Sequence, residues 1–590
     1  NKMDSKHVTE STSGQEDIQK TWWKEAIIYQ IYPRSFQDSD GDGIGDLNGI
    51  TSRLDYIQSL GVDIIWLNPI FLSPNDDNGY DISDYREIMR EFGTMEDFDR
   101  LLKEIHKREM RLVLDLVVNH TSDEHPWFEE ARKSRHNPYY NYYHWWPAEK
   151  GEPPLRLSYF DEEGNAWMYN KPTDSYYLHY FSRKQPDLNW ENPEVRQEIF
   201  DMMRFWFDKG IDGFRMDSIS LIAKDPSFPL IDSKKYPDIF SFYAKEPRLH
   251  LYLHEMNRQV LSKYDCMSVG EGSAVMVDDV AKFVDPAREE LNMLYHFDAA
   301  RIRNTTLPDN PESGIDYSLI ALKKMFTEWD KAIDKGWPSI YLGNHDQPRM
   351  VSRFGSDKDE FRALSAKMLI TFLLTMRGTP YWFAGDEIGM RNIRFDRIED
   401  YNDIDTINRY KKAKAEGKDP QAVLDEQKET GRDNARTPFQ WDRSPEAGFT
   451  AGTPWLKVNP DYTWINVADE EKDPTSILNY FKKVVSFRKE NPSLIYGSYH
   501  LLDAENPQCY IFLRKTGADT YLIMLNFSPK AAISTPGIDM SNAHVLLDNY
   551  GDRSHMAPQK DITLRPFEAI VFQLNHPVYE SFIDSLDLLE

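Results

Sequence analysis

Four apolar runs in this chain each end in an acid or a polar cluster: 112-LVLDLVVNH-120, 213-GFRMDSI-219, 268-SVGEG-272 and 343-GNHDQPR-349. Apart from Asp115, the run Leu112–Val118 is apolar throughout, which suits a strand covered on both faces. Acids at the C-terminal ends of such strands, here Asp115, Asp217, Glu271 and Asp346, stand where parallel α/β barrels put their chemistry.

Strand and helix patterns alternate from residue 26 onward. Predicted strands are Ile27–Tyr32, Val62–Asn68, Leu112–Val118, Asp212–Asp217, Met267–Gly270, Leu294–Phe297, Ser339–Gly343 and Tyr381–Ala384. Helices are read over Leu47–Leu60, closed by Gly61, and over Met95–Glu109. A further one opens at Pro193 behind an Asn192 cap and ends at Gly210. Eight βα units predict an α/β fold, a (β/α)8 TIM barrel. The rhythm stops between His120 and about Asp187, where Trp, Tyr, Pro and Gly dominate. A long irregular segment inside a compact domain is usually functional. Residues 386–470 form a second excursion after the eighth strand. From about Gly497 short alternating strands without helices predict a C-terminal antiparallel β domain. The domain reading is therefore a disordered segment 1–21, a barrel over 22–119 and 188–496, an insertion 120–187, a β domain 497–577 and an acidic tail 578–590.

At 590 residues the chain is too long for one simple core. The formal charge is 70 − 97 = −27. It argues against nucleic acid or an anionic membrane as partner, since both need a basic surface. The two cysteines, Cys266 and Cys509, form no disulfide framework and no metal spacing. The longest apolar helical stretch, 368-MLITFLLTM-376, is too short to span a bilayer. The cysteine usage fits a reducing compartment; a monomer in a bacterial cytoplasm is expected, or a periplasmic or secreted protein if a leader was removed before Asn1.

The ordered motifs DxxxNH, GFRxD, a strand-terminal Glu and NHD resemble those of the α-amylase superfamily, glycoside hydrolase family 13. The segments 185-QPDLN-189, 77-DNGYDISDY-85 and 432-RDNARTPFQWD-442 are similar to its oligo-1,6-glucosidase branch. The resemblance runs from about Trp22 to about Leu574. Any one strand-end Asp is better read as a helix cap or ion-pair partner; five motifs in order are specific. The resemblance implies a retaining α-glucosidase of disaccharides and short oligosaccharides. Its insertion after the third strand, domain B, would wall the site. Asp217 would be the nucleophile, Glu271 the acid/base and Asp346 the third acid, binding sugar hydroxyls.

Arg215 lies two residues before Asp217, so both point to one face of a strand; its guanidinium would keep the nucleophile ionised. The resemblance also implies that His120 and His345 bind hydroxyls, that Tyr80 stacks on the first sugar with Asp81 helping, and that Arg436 is a hydroxyl or carboxylate partner. Phe160 and Phe181 are read as apolar pocket walls or as plain core. Asp115, Asn119 and Arg349 are read as holding the site together or as part of it.

Specificity signals conflict. Relatives that cut α-1,6 bonds carry Val directly after the nucleophile, whereas this chain has Ser218; HDQPR and QPDLN nonetheless resemble the α-1,6 enzymes. Glu387, in 385-GDEIG-389, is placed to contact the second sugar. Sucrose isomerases are close cousins that hold fructose with an aromatic clamp and an RLDRD segment. Here Phe297 matches one clamp residue, the other is Ser273, and the segment reads 301-RIRNT-305, which favours hydrolysis over isomerisation or transglucosylation. A non-catalytic reading, like the glucosidase-like ectodomains of amino-acid transporter heavy chains, conflicts with the three retained acids.

The loop 38-DSDGDGIGD-46 looks like the first half of an EF-hand, with Gly43 at the turn and the Ile44 carbonyl as a ligand. The bidentate Glu of a complete EF-hand is absent. Asp38, Asp40, Asp42 and Asp46 repel one another without a cation, so the loop predicts a structural Ca²⁺ site that Mg²⁺ could also fill. The bland alternative is a solvated acidic turn.

Overall fold

The computed structural model describes residues 20–160, 164–517, 519–557 and 559–574. All but the last two residues of the 1–21 segment, and the whole acidic tail 578–590, lie outside the described residues. Eight parallel strands form the centre: β1 Ile28–Ile31, β2 Ile64–Leu67, β3 Arg111–Val117, β4 Gly213–Asp217, β5 Met267–Glu271, β6 Met293–Tyr295, β7 Ser339–Ile340 and β8 Thr379–Phe383. Their ladder runs β6-β5-β4-β3-β2-β1-β8-β7. Side chains close the remaining seam. The Ser339 hydroxyl donates to the Leu294 carbonyl at 2.7 Å and the Tyr341 hydroxyl to the His296 carbonyl at 2.6 Å. The rings of Tyr295 and Tyr341 stack at 4.0 Å. Asp115 lies opposite Arg215, and Val117 opposite Asp217, so the acid-bearing ends of β3 and β4 are level.

The eight strands fall where the apolar runs predict them. The Pro193–Lys209 helix is capped as expected: the Asn192 side chain accepts from the Glu194 N–H, and Gly210 stops the helix at φ 114. The single helix predicted over 47–60 is instead two, Leu47–Ser52 and Leu54–Ser59. Thr51 and Ser52 hydroxyls donate back to the Leu47 and Gly49 carbonyls, and such bonds bend helices. The apolar 368–376 stretch belongs largely to a buried helix, Arg362–Thr375. Among the described residues no helix is long and apolar enough to cross a membrane.

The insertion leaves the barrel at His120 and returns at Asp187, and these two residues bridge each other. It carries a three-stranded antiparallel sheet of Trp145–Pro147, Ser175–Leu178 and Trp167–Asn170. The excursion after β8 contributes helices Ile404–Ala415 and Pro420–Thr430. Five antiparallel strands between Ser498 and Leu574 form the C-terminal sheet. Lys323 docks it to the barrel by donating to the carbonyls of Asp503, Asn506 and Cys509.

Candidate active site

A cavity of about 740 Å³ opens at the C-terminal ends of the strands. Asp217, Glu271 and Asp346 all line it. Behind them Arg215 is wholly buried. Its guanidinium donates to Asp217 at 3.3 Å, to Asp115 at 3.5 Å, and to Glu271. Register explains this: Arg215 is flanked by Asp115 on β3 and Val269 on β5, and alternation puts Asp217 and Glu271 on the same inward face.

Burial pushes the Asp217 carboxyl well above the usual range, the charge of Glu271 adds to this, and Arg215 pulls the other way. Burial also raises Glu271, against the pull of Arg215. Burial and mutual repulsion favour protonation of this pair, while the shared guanidinium favours charge, so the two carboxyls are suited to divide one proton, as double displacement needs. Arg215 touches both acids, so it does not single out Asp217 as an ionised partner.

Asp346 is tuned oppositely. Burial would raise it, but His345, Arg432 and Arg436 together hold its carboxyl well below the usual range. Arg436 Nη2 lies 3.1 Å and Arg432 Nη1 3.2 Å from Asp346 Oδ1. Arg432 also grips Asp403 at 2.6 Å and reaches Asp77 at 3.4 Å.

Tyr80 lines the pocket and donates to Asp115 at 2.5 Å. Its ring stacks on His345 at 5.3 Å. His120 lines the pocket with its Nε2 2.8 Å from the Tyr80 carbonyl; burial lowers its pKa to about 4, so it is neutral. Phe160, Phe181, Ser218 and Phe297 complete the predicted residues that reach the cavity. The Ser218 hydroxyl faces Glu271 at 3.1 Å.

Five predicted binding residues do not line the cavity. Asp81 is wholly buried; it accepts from the Ser73 hydroxyl and from the Asp76 and Asp77 N–H groups. It shapes the loop that presents Tyr80 and does not line the cavity. Glu387 is likewise buried, accepting from the hydroxyls of Tyr29 at 2.5 Å and Tyr56 at 2.7 Å. It does not line the cavity. Arg215, His345 and Arg436 sit behind the lining and act on its acids, because each is buried against a carboxylate. Arg349 is a support: it donates to Asp386 and to the Ala384 and Ala435 carbonyls. Asn119 accepts from buried Lys224 at 2.6 Å and lies beside His120.

The sequence reading missed Asp77, Arg432, Tyr159 and Phe240, all of which line the cavity. Asp77 and Arg432 open the two motifs singled out above, so the signal was present. Tyr159 and Phe240 stack at 4.3 Å across a gap of some eighty residues, which no local pattern reveals.

In the 38–46 loop the carboxylate oxygens of Asp38, Asp40 and Asp42 lie within 4.8 Å of one another. Burial and its acidic neighbours push Asp42 up to about 6. This donor set of hard oxygens fits Ca²⁺ or Mg²⁺. Asp46 stands outside the trio and caps the Leu47–Ser52 helix, accepting from Gly49 at 2.7 Å. Ile44 presents its N–H to Asp42 at 2.9 Å.

Residues 30–497 match the family model described as alpha amylase, catalytic domain. An oligo-1,6-glucosidase of Parageobacillus thermoglucosidasius is 51% identical over 571 residues, covering 95% of this chain and 100% of that one. An oligo-1,6-glucosidase of Bacillus cereus is 49% identical over 94% and 100%. Among solved structures, an isomaltulose synthase mutant from Erwinia rhapontici in complex with sucrose superposes with a TM-score of 0.90 at 44% identity, covering 95% and 100%. The trehalulose synthase of Pseudomonas mesoacidophila does so with 0.89 at 42% identity, covering 94% and 100%.

Proposed function

The chain belongs to the α-amylase superfamily, glycoside hydrolase family 13, and from that premise we propose that it releases terminal α-1,6-linked glucose from disaccharides and short oligosaccharides, with retention. The observation that carries the reading is the buried Arg215 guanidinium bonded to both Asp217 and Glu271 at the floor of one cavity. Retaining hydrolysis needs two carboxyls flanking the scissile bond. Asp217 attacks the anomeric carbon while Glu271 gives its proton to the departing oxygen. Glu271 then takes a proton from water as the water displaces Asp217. Asp346, kept charged by its arginines, takes sugar hydroxyls and favours the oxocarbenium-like state. Arg432 and Asp77 line the same cavity and pair with each other, which suits binding of one terminal sugar.

Phe297 and Ser273 both line the cavity. One aromatic and one serine leave fructose without a clamp, so sucrose is hydrolysed instead of rearranged, and the Ser218 position tolerates α-1,4 and sucrose-type bonds. The decisive experiment is product analysis with isomaltose, maltose, sucrose and isomaltulose as separate substrates. Glucose from isomaltose, and glucose plus fructose from sucrose, supports the reading. Dominant isomaltulose or trehalulose from sucrose makes the protein an isomerase, the reaction its structural neighbours' names denote. No turnover of any of them favours a binding role.

Asp38, Asp40 and Asp42 hold a structural Ca²⁺ in this proposal, for which Mg²⁺ can substitute. The loop lies against the excursion after β8: the Thr450 hydroxyl donates to Asp38 at 2.5 Å and the Trp455 N–H to the Gly43 carbonyl at 2.9 Å. The ion would neutralise crowded acids and take no part in the reaction.

A further inference from the structure

Three serines join the turn after β4 to the turn after β5. Ser218, directly after Asp217, has φ 42 and ψ 33, a left-handed conformation uncommon for a residue with a Cβ. This twist aims both its N–H and its hydroxyl at Oε1 of Glu271, each at 3.1 Å. The Ser273 hydroxyl approaches the same oxygen at 3.4 Å. The Ser220 hydroxyl donates to the Ser273 carbonyl at 2.6 Å, which fixes the turn carrying Ser273.

We propose that Ser218 and Ser273 are positioning residues that hold Oε1 of Glu271, fixing the direction of its carboxyl and its affinity for a proton. The inference rests on Glu271 being the acid/base. A hydrogen bond donated to a carboxylate favours the charged form. The hydroxyls thus work with Arg215 of β4 against burial and against the charges of Asp346 after β7 and Asp115 of β3. Asp217 of β4 opposes them too. The phenols of Tyr159 in the insertion and Tyr341 after β7 also feel Glu271. Too high an affinity leaves a poor base for the water step, and too low an affinity leaves no proton for the leaving oxygen. The serine pair sets Glu271 between these limits.

The test is the pH profile of kcat/KM on isomaltose for Ser218→Ala, Ser218→Gly and Ser273→Ala. Glycine accepts the left-handed turn without strain, so it keeps the test sound if alanine folds poorly. All three retain the Ser218 backbone N–H. The alkaline limb reports loss of the acid's proton. It should move up by about one to two units in both Ser218 variants, the size of a hydrogen bond to a charged group, and by less in Ser273→Ala. An alkaline limb that stays in place, or moves down, in Ser218→Ala and Ser218→Gly overturns the inference. Glu271→Gln separates the two levels. If that variant still turns over isomaltose, the acid/base reading itself fails; if it is inactive and the serine variants are unshifted, only the present inference fails.

Discussion

Arg432 meets Asp346 across the cleft, Nη1 to Oδ1 at 3.2 Å, although the two are 86 positions apart in the chain. Because the same guanidinium grips Asp403 and reaches Asp77, the excursion after β8 supplies the cation that lets three acids gather beside the pocket.

Arg432→Gln should therefore lower kcat/KM by about ten- to hundred-fold, the size of a lost hydrogen bond to a charged group. It should also start acid unfolding at a higher pH. Asp346 has a folded pKa below its unfolded value. Its contribution is present above the unfolded value, about 3.9, and is lost as pH falls through the folded one. Raising the folded value moves that loss upward. Steady-state kinetics and an acid titration followed by circular dichroism check both halves.

Asp217→Asn should remove turnover on the order of 10⁴-fold or more while the melting temperature stays close to that of the wild type, since it removes the attacking charge and little else. Substantial activity in a sequence-verified sample would refute the assignment.

Glu271→Gln should lose natural substrates first. Aryl glucosides with good leaving groups need no proton, so they should still form the glucosyl-enzyme, visible as a mass increase on Asp217. Equal loss on both substrate types argues that Glu271 is not the acid.

Chelation should lower the melting temperature, and added Ca²⁺ should restore it by mass action. Asp42→Ala should abolish that response. No residue of the loop lines the cavity that holds Asp217 and Glu271, so turnover at low temperature should change little. Melting curves indifferent to both EDTA and Ca²⁺ identify the loop as an acidic turn.

The barrel was legible because its strands are buried on both faces and read as continuous apolar runs. The three acids were legible because each ends such a run. What escaped was packing across the cleft. Asp81 and Glu387 carry the right chemistry near the right motifs, yet Ser73 and backbone N–H groups enclose one, and Tyr29 and Tyr56 enclose the other. A carboxylate so fully bonded has nothing left to offer a sugar, and sequence spacing does not report which neighbours occupy it. The break at Arg53 escaped similarly, since hydroxyls that point back along a helix look like ordinary helix-surface residues.

The joint between the 38–43 loop and Thr450 and Trp455 bears on how the chain tolerates being cut. The turn 416–419 between the excursion's two helices is exposed, with Gly417 in the left-handed region. A protease acting there leaves both new ends on the surface. The downstream piece, which carries Arg432 and Arg436, stays fastened to the first loop of the barrel by those bonds and by the Trp441 indole, which donates to the Phe36 carbonyl at 2.8 Å. A chain nicked at this turn keeps the two arginines that hold Asp346 in register, so two fragments divided there are suited to reassemble into one working enzyme.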